Sequence, residues 1–339
     1  MKISKRQKQA LKWILVAVCI GIIGYTFRDS AGPIFRQLRE TAPIVVVGIC
    51  LMSLVYYLIE GWITTALAKQ YHSGFSYITG VKNALYCAFC RVATLGSGAG
   101  VAAIYYLGEN GIDYSKGFGL YMLQYAFHKV GIAIFSAILF GLNFQYMCGH
   151  FGNYTGLLFA GYAITLIITA CLILFCCSKR FHRLIFVLLD FTNRKLKGRL
   201  QKFTEELQKQ CGMMEESSRF LLKKKGLIAG VLFLDFLKFG FWYGIPYLVF
   251  LGHAESTLSQ VMAVTSLSVM LAAVIPAPAG IGSTEFVFTS LFAGIVGEGL
   301  AGSASLLYRF ATFVFPFLVG ALMLAVGRIR KKRLEFRVK

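Results

Sequence analysis

Charge is scarce in this chain, and acid is scarcer still. Only 15% of its 339 residues are charged, where a soluble globular domain carries about 25%. Its 35 Lys and Arg residues face just 15 Asp and Glu. A soluble domain does not fit that composition. The chain also lacks a G-x-x-x-x-G-K-[ST] phosphate loop, an H-E-x-x-H zinc motif and a G-x-S-x-G nucleophile elbow. An ATP-driven pump and the common metal or serine hydrolases therefore have no support. Cys87 and Cys90 form a C-x-x-C, but no second C-x-x-C or His pair follows at zinc spacing. Seven of the nine cysteines lie in apolar stretches and read as small helix residues, so neither a metal nor a cofactor is expected.

What the chain has in quantity is apolar sequence. Hydrophobic residues make up 57% of it and the mean hydropathy is +0.66. Several stretches reach the roughly 20 residues that cross a bilayer as helix, and they are too continuously apolar for the alternating strands of a barrel. The expected fold is an all-α polytopic membrane protein. The net charge of +20 resembles that of a nucleic-acid-binding protein, but its distribution excludes that partner. Five cations fall in residues 1–12, thirteen in 179–225 and seven in 328–339, each segment flanking an apolar span. This positive-inside pattern predicts a multi-pass protein with both termini in the cytoplasm and basic segments drawn to anionic lipids.

Spans are predicted near 12–28 (basic and then apolar, with no small-x-small cleavage site after it), 42–68, 118–141, 155–178, 226–250 and 303–327. That makes about six full crossings among about eight hydrophobic segments. The segment 179–225 reads as a basic amphipathic stretch on the inner surface or a solvated hairpin joining two halves. Parity requires that everything between residue 69 and residues 109–117 begin and end inside. A broken hairpin over 83–107, with "TLGSGAG" (94–100) at its tip, satisfies this. Residues 257–300 must begin and end outside, as a second broken hairpin or as two full crossings, with "PAPAGIGSTE" at the turn. One half, 42–141, and the other, 226–327, thus repeat span, broken hairpin, span in opposite orientation. Transporters often use this plan.

Irregular backbone at membrane depth survives only where it is buried or lines a wet cavity. Gly96, Gly98, Gly100, Gly280 and Gly282 are the candidates for such a lining, with Pro276 and Pro278 breaking the helix ahead of the last two. Alternatively, these glycines serve tight turns and close packing. Charges inside apolar segments are functional candidates by default. They are Glu60, Arg91, Lys129 beside His128, Asp235, Lys238, Glu285 and Arg309. Asp235 and Lys238 are spaced to pair on one helix face. Glu60 and Arg91 are expected near the inner interface, where snorkelling lowers their cost. Glu285 reads either as a helix-start carboxylate paired with Arg309 or as a cavity group that binds a cationic headgroup or a proton.

Three stretches, "LGSGAGVAAIYYLGENGI", "PAPAGIGSTEFVF" and "LLYRFATFVFPFLVG", resemble the lysylphosphatidylglycerol synthase transmembrane-region family over roughly residues 42–327. Ala279 and Thr94 depart from that family's usual glycine and proline. The resemblance implies a plasma-membrane lipid translocase in a bacterium, moving an anionic or aminoacylated phospholipid such as lysyl-phosphatidylglycerol. Cell-envelope charge and cationic peptide resistance would be its setting. It also implies a substrate site around Gly96, Gly98, Gly100, Lys129, Pro278, Gly280, Gly282, Glu285 and Arg309, with His128, Asp235, Lys238 and Glu285 as proton or ion-pair groups. A membrane-embedded lipid-modifying transferase, a polyprenyl-linked glycan translocase, and a scaffold for a partner lipid-modifying enzyme are the alternatives. The family's soluble aminoacyl transferase domain has no counterpart here, so lysyl transfer is not expected. Whether the chain forms a homo-oligomer stays open.

Overall fold

The computed structural model describes residues 31–152, 155–178, 219–275 and 280–337, with isolated positions elsewhere and no side chains beyond 328. The predicted first span, most of the basic segment 179–225, and Pro276 and Pro278 lie outside the described residues. Those described are helical, without a strand among them. In chain order the helices are α1 (Ala31–Glu40), α2 (Pro43–Ala68), α3 (Tyr77–Ala93), α4 (Ala99–Glu109), α5 (Tyr114–Leu142), α6 (Phe144–Phe151), α7 (Thr155–Cys177), α8 (Lys225–Phe250), α9 (Leu258–Ala272), α10 (Ser283–Val296), α11 (Glu298–Arg309) and α12 (Phe315–Arg337). A π-helical turn, Phe310–Val314, joins the last two. Pro316, just beyond it, has no N–H with which to continue the regular ladder.

α2, α5, α8 and the run Glu298–Arg328 are long and apolar enough to cross a membrane. The protein is therefore a multi-pass membrane protein. Local chemistry starts and stops these helices where the sequence changes. Pro43 opens α2. The Ser76 hydroxyl accepts from the Thr79 N–H at the head of α3, and Thr257 and Gln260 form a reciprocal capping box at the head of α9. The short amphipathic helix α1 carries no span-like signal and was not foreseen. It leans on α11, where the Ser303 hydroxyl donates to Gln37 at 3.0 Å.

Two hairpins carry the breaks, and the first turns inside the bundle. The first covers 77–109, wider than the predicted 83–107. Its tip is deep: Gly100 lies against Tyr121, seven residues into α5, which is about 10 Å along that helix at 1.5 Å per residue. In the second, α9 and α10 have 15 and 14 residues. Each is about 22 Å long, short of the ~30 Å hydrocarbon core. Of the two arrangements expected for 257–300, these lengths suit the broken hairpin.

The two halves make matching contacts. α2 packs on α3 as α8 packs on α9; α4 on α5 as α10 on α11; and α3 on α12 as α9 on α5. The axis of this exchange lies between α2 and α8, which run antiparallel. Gly48 faces Leu248, Tyr56 stacks on Trp242 at 4.0 Å, and Lys224 donates to Gln70 at 2.6 Å. Glycine sets the close approaches. A Cβ on Gly80 would stand 2.3 Å from the Gly61 carbonyl oxygen, and one on Gly320 2.6 Å from that of Leu85.

Candidate functional site

The polar residues of the apolar helices fall on a few faces. On α2 the positions are Tyr56, Tyr57, Glu60 and Thr64; on α5, Tyr121, Gln124, Tyr125, His128 and Lys129; on α8, Asp235, Lys238 and Tyr243. Steps of three and four place the α2 and α5 sets, and the Asp235–Lys238 pair of α8, on one side of their helices. Folding turns these sides toward one another and toward the first hairpin tip. Apart from Asp235 and Lys238, which stand behind its wall, they enclose a cavity of about 370 Å³ that α3 and α4 complete through Arg91 and Gly96. Lys238 is thirteen residues from Lys225 and twelve from Phe250, so the cluster sits about 18–20 Å from either end of α8. Gly131 lets α5 come this close, because a Cβ there would lie 2.9 Å from the Phe239 ring.

Lys238 is fully buried. Its Nζ donates to Glu60 Oε2 at 2.6 Å across the α2–α8 contact, and lies 2.5 Å from Asp235 Oδ1 on its own helix. The predicted Asp235–Lys238 pair therefore forms, and Glu60 joins it. Gln124 donates to Glu60 Oε1 at 2.8 Å and to Thr64 at 3.0 Å. A His128 nitrogen stands within 4.8 Å of carboxylate oxygens of Glu60 and Asp235. Such a trio suits a cation, and the ammonium of Lys238 supplies one. Glu60 and Arg91 were expected at the inner interface. They instead line this cavity, because the first hairpin carries Arg91 inward and Glu60 faces α8 halfway along its length.

Arg91 and Lys129 differ from the other cations. Among the described residues neither has a carboxylate within ion-pair distance. Lys129 lies over the face of Tyr125, 5.4 Å from the ring centre. Arg91 is accessible despite its depth. Cys87, of the C-x-x-C, also lines the wall as a free thiol.

The glycine tips divide. Gly96 has φ +98°, follows Leu95 at φ +51°, and lines the cavity. The Gly98 N–H is spent on the Thr94 hydroxyl at 2.7 Å, and Gly100 admits Tyr121, whose ring a Cβ would meet at 2.8 Å. At the second tip Gly280 and Gly282 have φ +67° and +80°, a region where other residues are strained. Glu285 Oε2 accepts from the Gly282 N–H at 2.9 Å, its Oε1 lies 3.1 Å from Arg309 Nε, and the guanidinium stacks on Phe313 at 3.9 Å. These residues are bound to one another at the start of α10, and they are not among those lining the cavity.

Two further spaces stand out, and the first adjoins the cavity. A narrow gap of about 60 Å³ between α5, α7 and α9 shares Lys129, Ile132 and Val269 with the cavity and is otherwise lined by Thr169, Met270, Ala273 and Val274. The Thr169 hydroxyl is buried there without a hydrogen-bond partner among the described residues. A wider, open pocket of about 890 Å³ lies where α6 meets the α8–α9 loop, around Tyr146, His150, His253 and Glu255. It sits at loop level, whereas the costly charges are in the enclosed cavity.

Of the residues singled out in the sequence, Gly96, His128 and Lys129 line the cavity and Asp235 and Lys238 stand behind it; Gln124 and the tyrosines were not among them. Their spacing with His128 and Glu60 was the available signal. Over 129 residues the chain is 30% identical to the UPF0104 membrane protein PH1989 of Pyrococcus horikoshii, a match spanning 38% of this chain and 38% of that protein. Residues 11–320 match the family described as the lysylphosphatidylglycerol synthase TM region. That match covers nearly the whole chain, the cavity and both hairpins included, so the chain belongs to this family.

Proposed function

We propose that the protein translocates a phosphate-headed lipid, holding the headgroup in the mid-depth cavity while the acyl chains stay in the bilayer. The observation that carries this is the pair of cations, Arg91 and Lys129, facing the cavity without acidic partners among the described residues. A charge at membrane depth costs about 2.5–3.5 kcal/mol at a helix centre even by the lower scales. Two uncompensated ones suit an anion that arrives from outside the protein. Arg91 can take two phosphate oxygens in fork geometry, Lys129 acts as a point charge, and hydroxyls of Tyr57 and Tyr121 line the same wall. The gap between α5, α7 and α9 leads away from Lys129 along an apolar lining and offers the tail a way out. The opposed hairpins supply two halves that could rock about the fixed site. The positive-inside rule orients both termini to the cytoplasm.

The test is a leaflet-resolved assay in proteoliposomes with labelled phosphatidylglycerol. Hydrogen bonds to charged groups contribute about 1.5–3 kcal/mol each, so losing one slows exchange by about 10- to 100-fold. Arg91→Gln with Lys129→Gln should abolish exchange at unchanged thermal stability. Exchange at the wild-type rate in that variant refutes the assignment.

A further inference from the structure

We infer that the cavity selects a headgroup whose charge is that of the phosphate alone and rejects one bearing an added amine, because Lys238 already fills the ammonium position at Glu60. This rests on the reading of the cavity as a headgroup site. Glu60 is the one carboxylate among the described residues that line the cavity. Both its oxygens are engaged: Oε2 by the Lys238 ammonium at 2.6 Å, Oε1 by the Gln124 amide at 2.8 Å. Asp235, the second carboxylate, is 1% exposed and lies behind that wall, also held by Lys238. An amine on an incoming headgroup would therefore meet no free acid. It would instead meet Lys238 behind Glu60, with Arg91 and Lys129 in front.

The charge balance agrees. Arg91, Lys129 and Lys238 stand against Glu60 and Asp235, an excess of one cation over the carboxylates. One phosphodiester cancels it. A lysyl ester adds two ammonium groups and reverses the sign. Lys238 is an internal copy of the group that an aminoacylated lipid would bring, fixed where that group would bind. An empty pair of carboxylates at the same depth would have favoured the opposite choice.

Native mass spectrometry of the purified protein with equal amounts of dioleoyl-phosphatidylglycerol, its lysyl ester and dioleoyl-phosphatidylcholine reads this out. The wild type should retain phosphatidylglycerol at least tenfold over the lysyl ester. Lys238→Gln frees Glu60 Oε2 and removes the positive balance, so the preference should shift at least tenfold toward the lysyl ester. Equal or better retention of the lysyl ester by the wild type overturns the selectivity while leaving the headgroup site in place. Retention of neither above phosphatidylcholine overturns the headgroup site itself. If Lys238→Gln fails to fold, the wild-type ratio decides alone.

Discussion

Replacing Lys238 with methionine removes a charge and little volume. The side chain is 0% exposed and serves two carboxylates, so the variant leaves Asp235 buried without its partner and Glu60 with only Gln124. Removing one member of a buried pair costs about 3–5 kcal/mol, chiefly from the charge left behind. The loss is concentrated within the membrane: Asp235 is ten residues from Lys225 and Glu60 eight from Ala68, so neither carboxylate can reach the headgroups from about 12–15 Å away. Adding Asp235→Asn should recover much of it, since the amide is neutral and nearly isosteric. Recovery stays incomplete because Glu60 remains. Reversible denaturation in mixed micelles, run as a double-mutant cycle, measures both quantities. A coupling energy between the two substitutions of about 1.5 kcal/mol or more is expected, within the usual range for contacting residues. A cost below about 1 kcal/mol for Lys238→Met, or no recovery in the double variant, refutes the claim that this network holds α2 against α8.

Glu285→Gln should lower thermal stability, because the carboxylate both pairs with Arg309 and accepts from the Gly282 N–H. Binding of phosphatidylglycerol should be unchanged, and a binding loss at intact stability would place Glu285 in the site. Gly80→Ala should destabilise by about 1–3 kcal/mol, the usual cost of overpacking, since its Cβ would lie 2.3 Å from the Gly61 oxygen. A thermal melt indistinguishable from wild type counts against the close α2–α3 contact. In a cysteine-free background, Asp113→Cys should label from the cytoplasmic side and His253→Cys from the opposite side. Labelling of both from one side would break the opposed-hairpin topology.

The sequence by itself determined the class, four of the long apolar helices and the places where the helices break. Continuous apolar runs of bilayer length leave the backbone only the helix to satisfy its own polar groups, so α2, α5, α8 and the final run lie close to where hydropathy put them. Proline, glycine and capping residues act within a few positions, and Ser283 accordingly opens α10 as the motif required. The charges that matter were also visible as exceptions in apolar sequence. Their partners were not. Asp235 and Lys238 sit three apart on one helix and pair as local geometry allows, but Glu60 lies 178 residues from Lys238, and only the antiparallel packing of α2 on α8 joins them. Arg91 and Lys129 reach one cavity because the first hairpin turns back at depth. Glu285 and Arg309, equally prominent in the sequence, pair with each other across α10 and α11 and are not among the residues lining that cavity. Residue type and spacing fix what a helix is and which side is polar. Which polar sides meet depends on helix packing across long sequence separations, and it is this that separates a site from a brace.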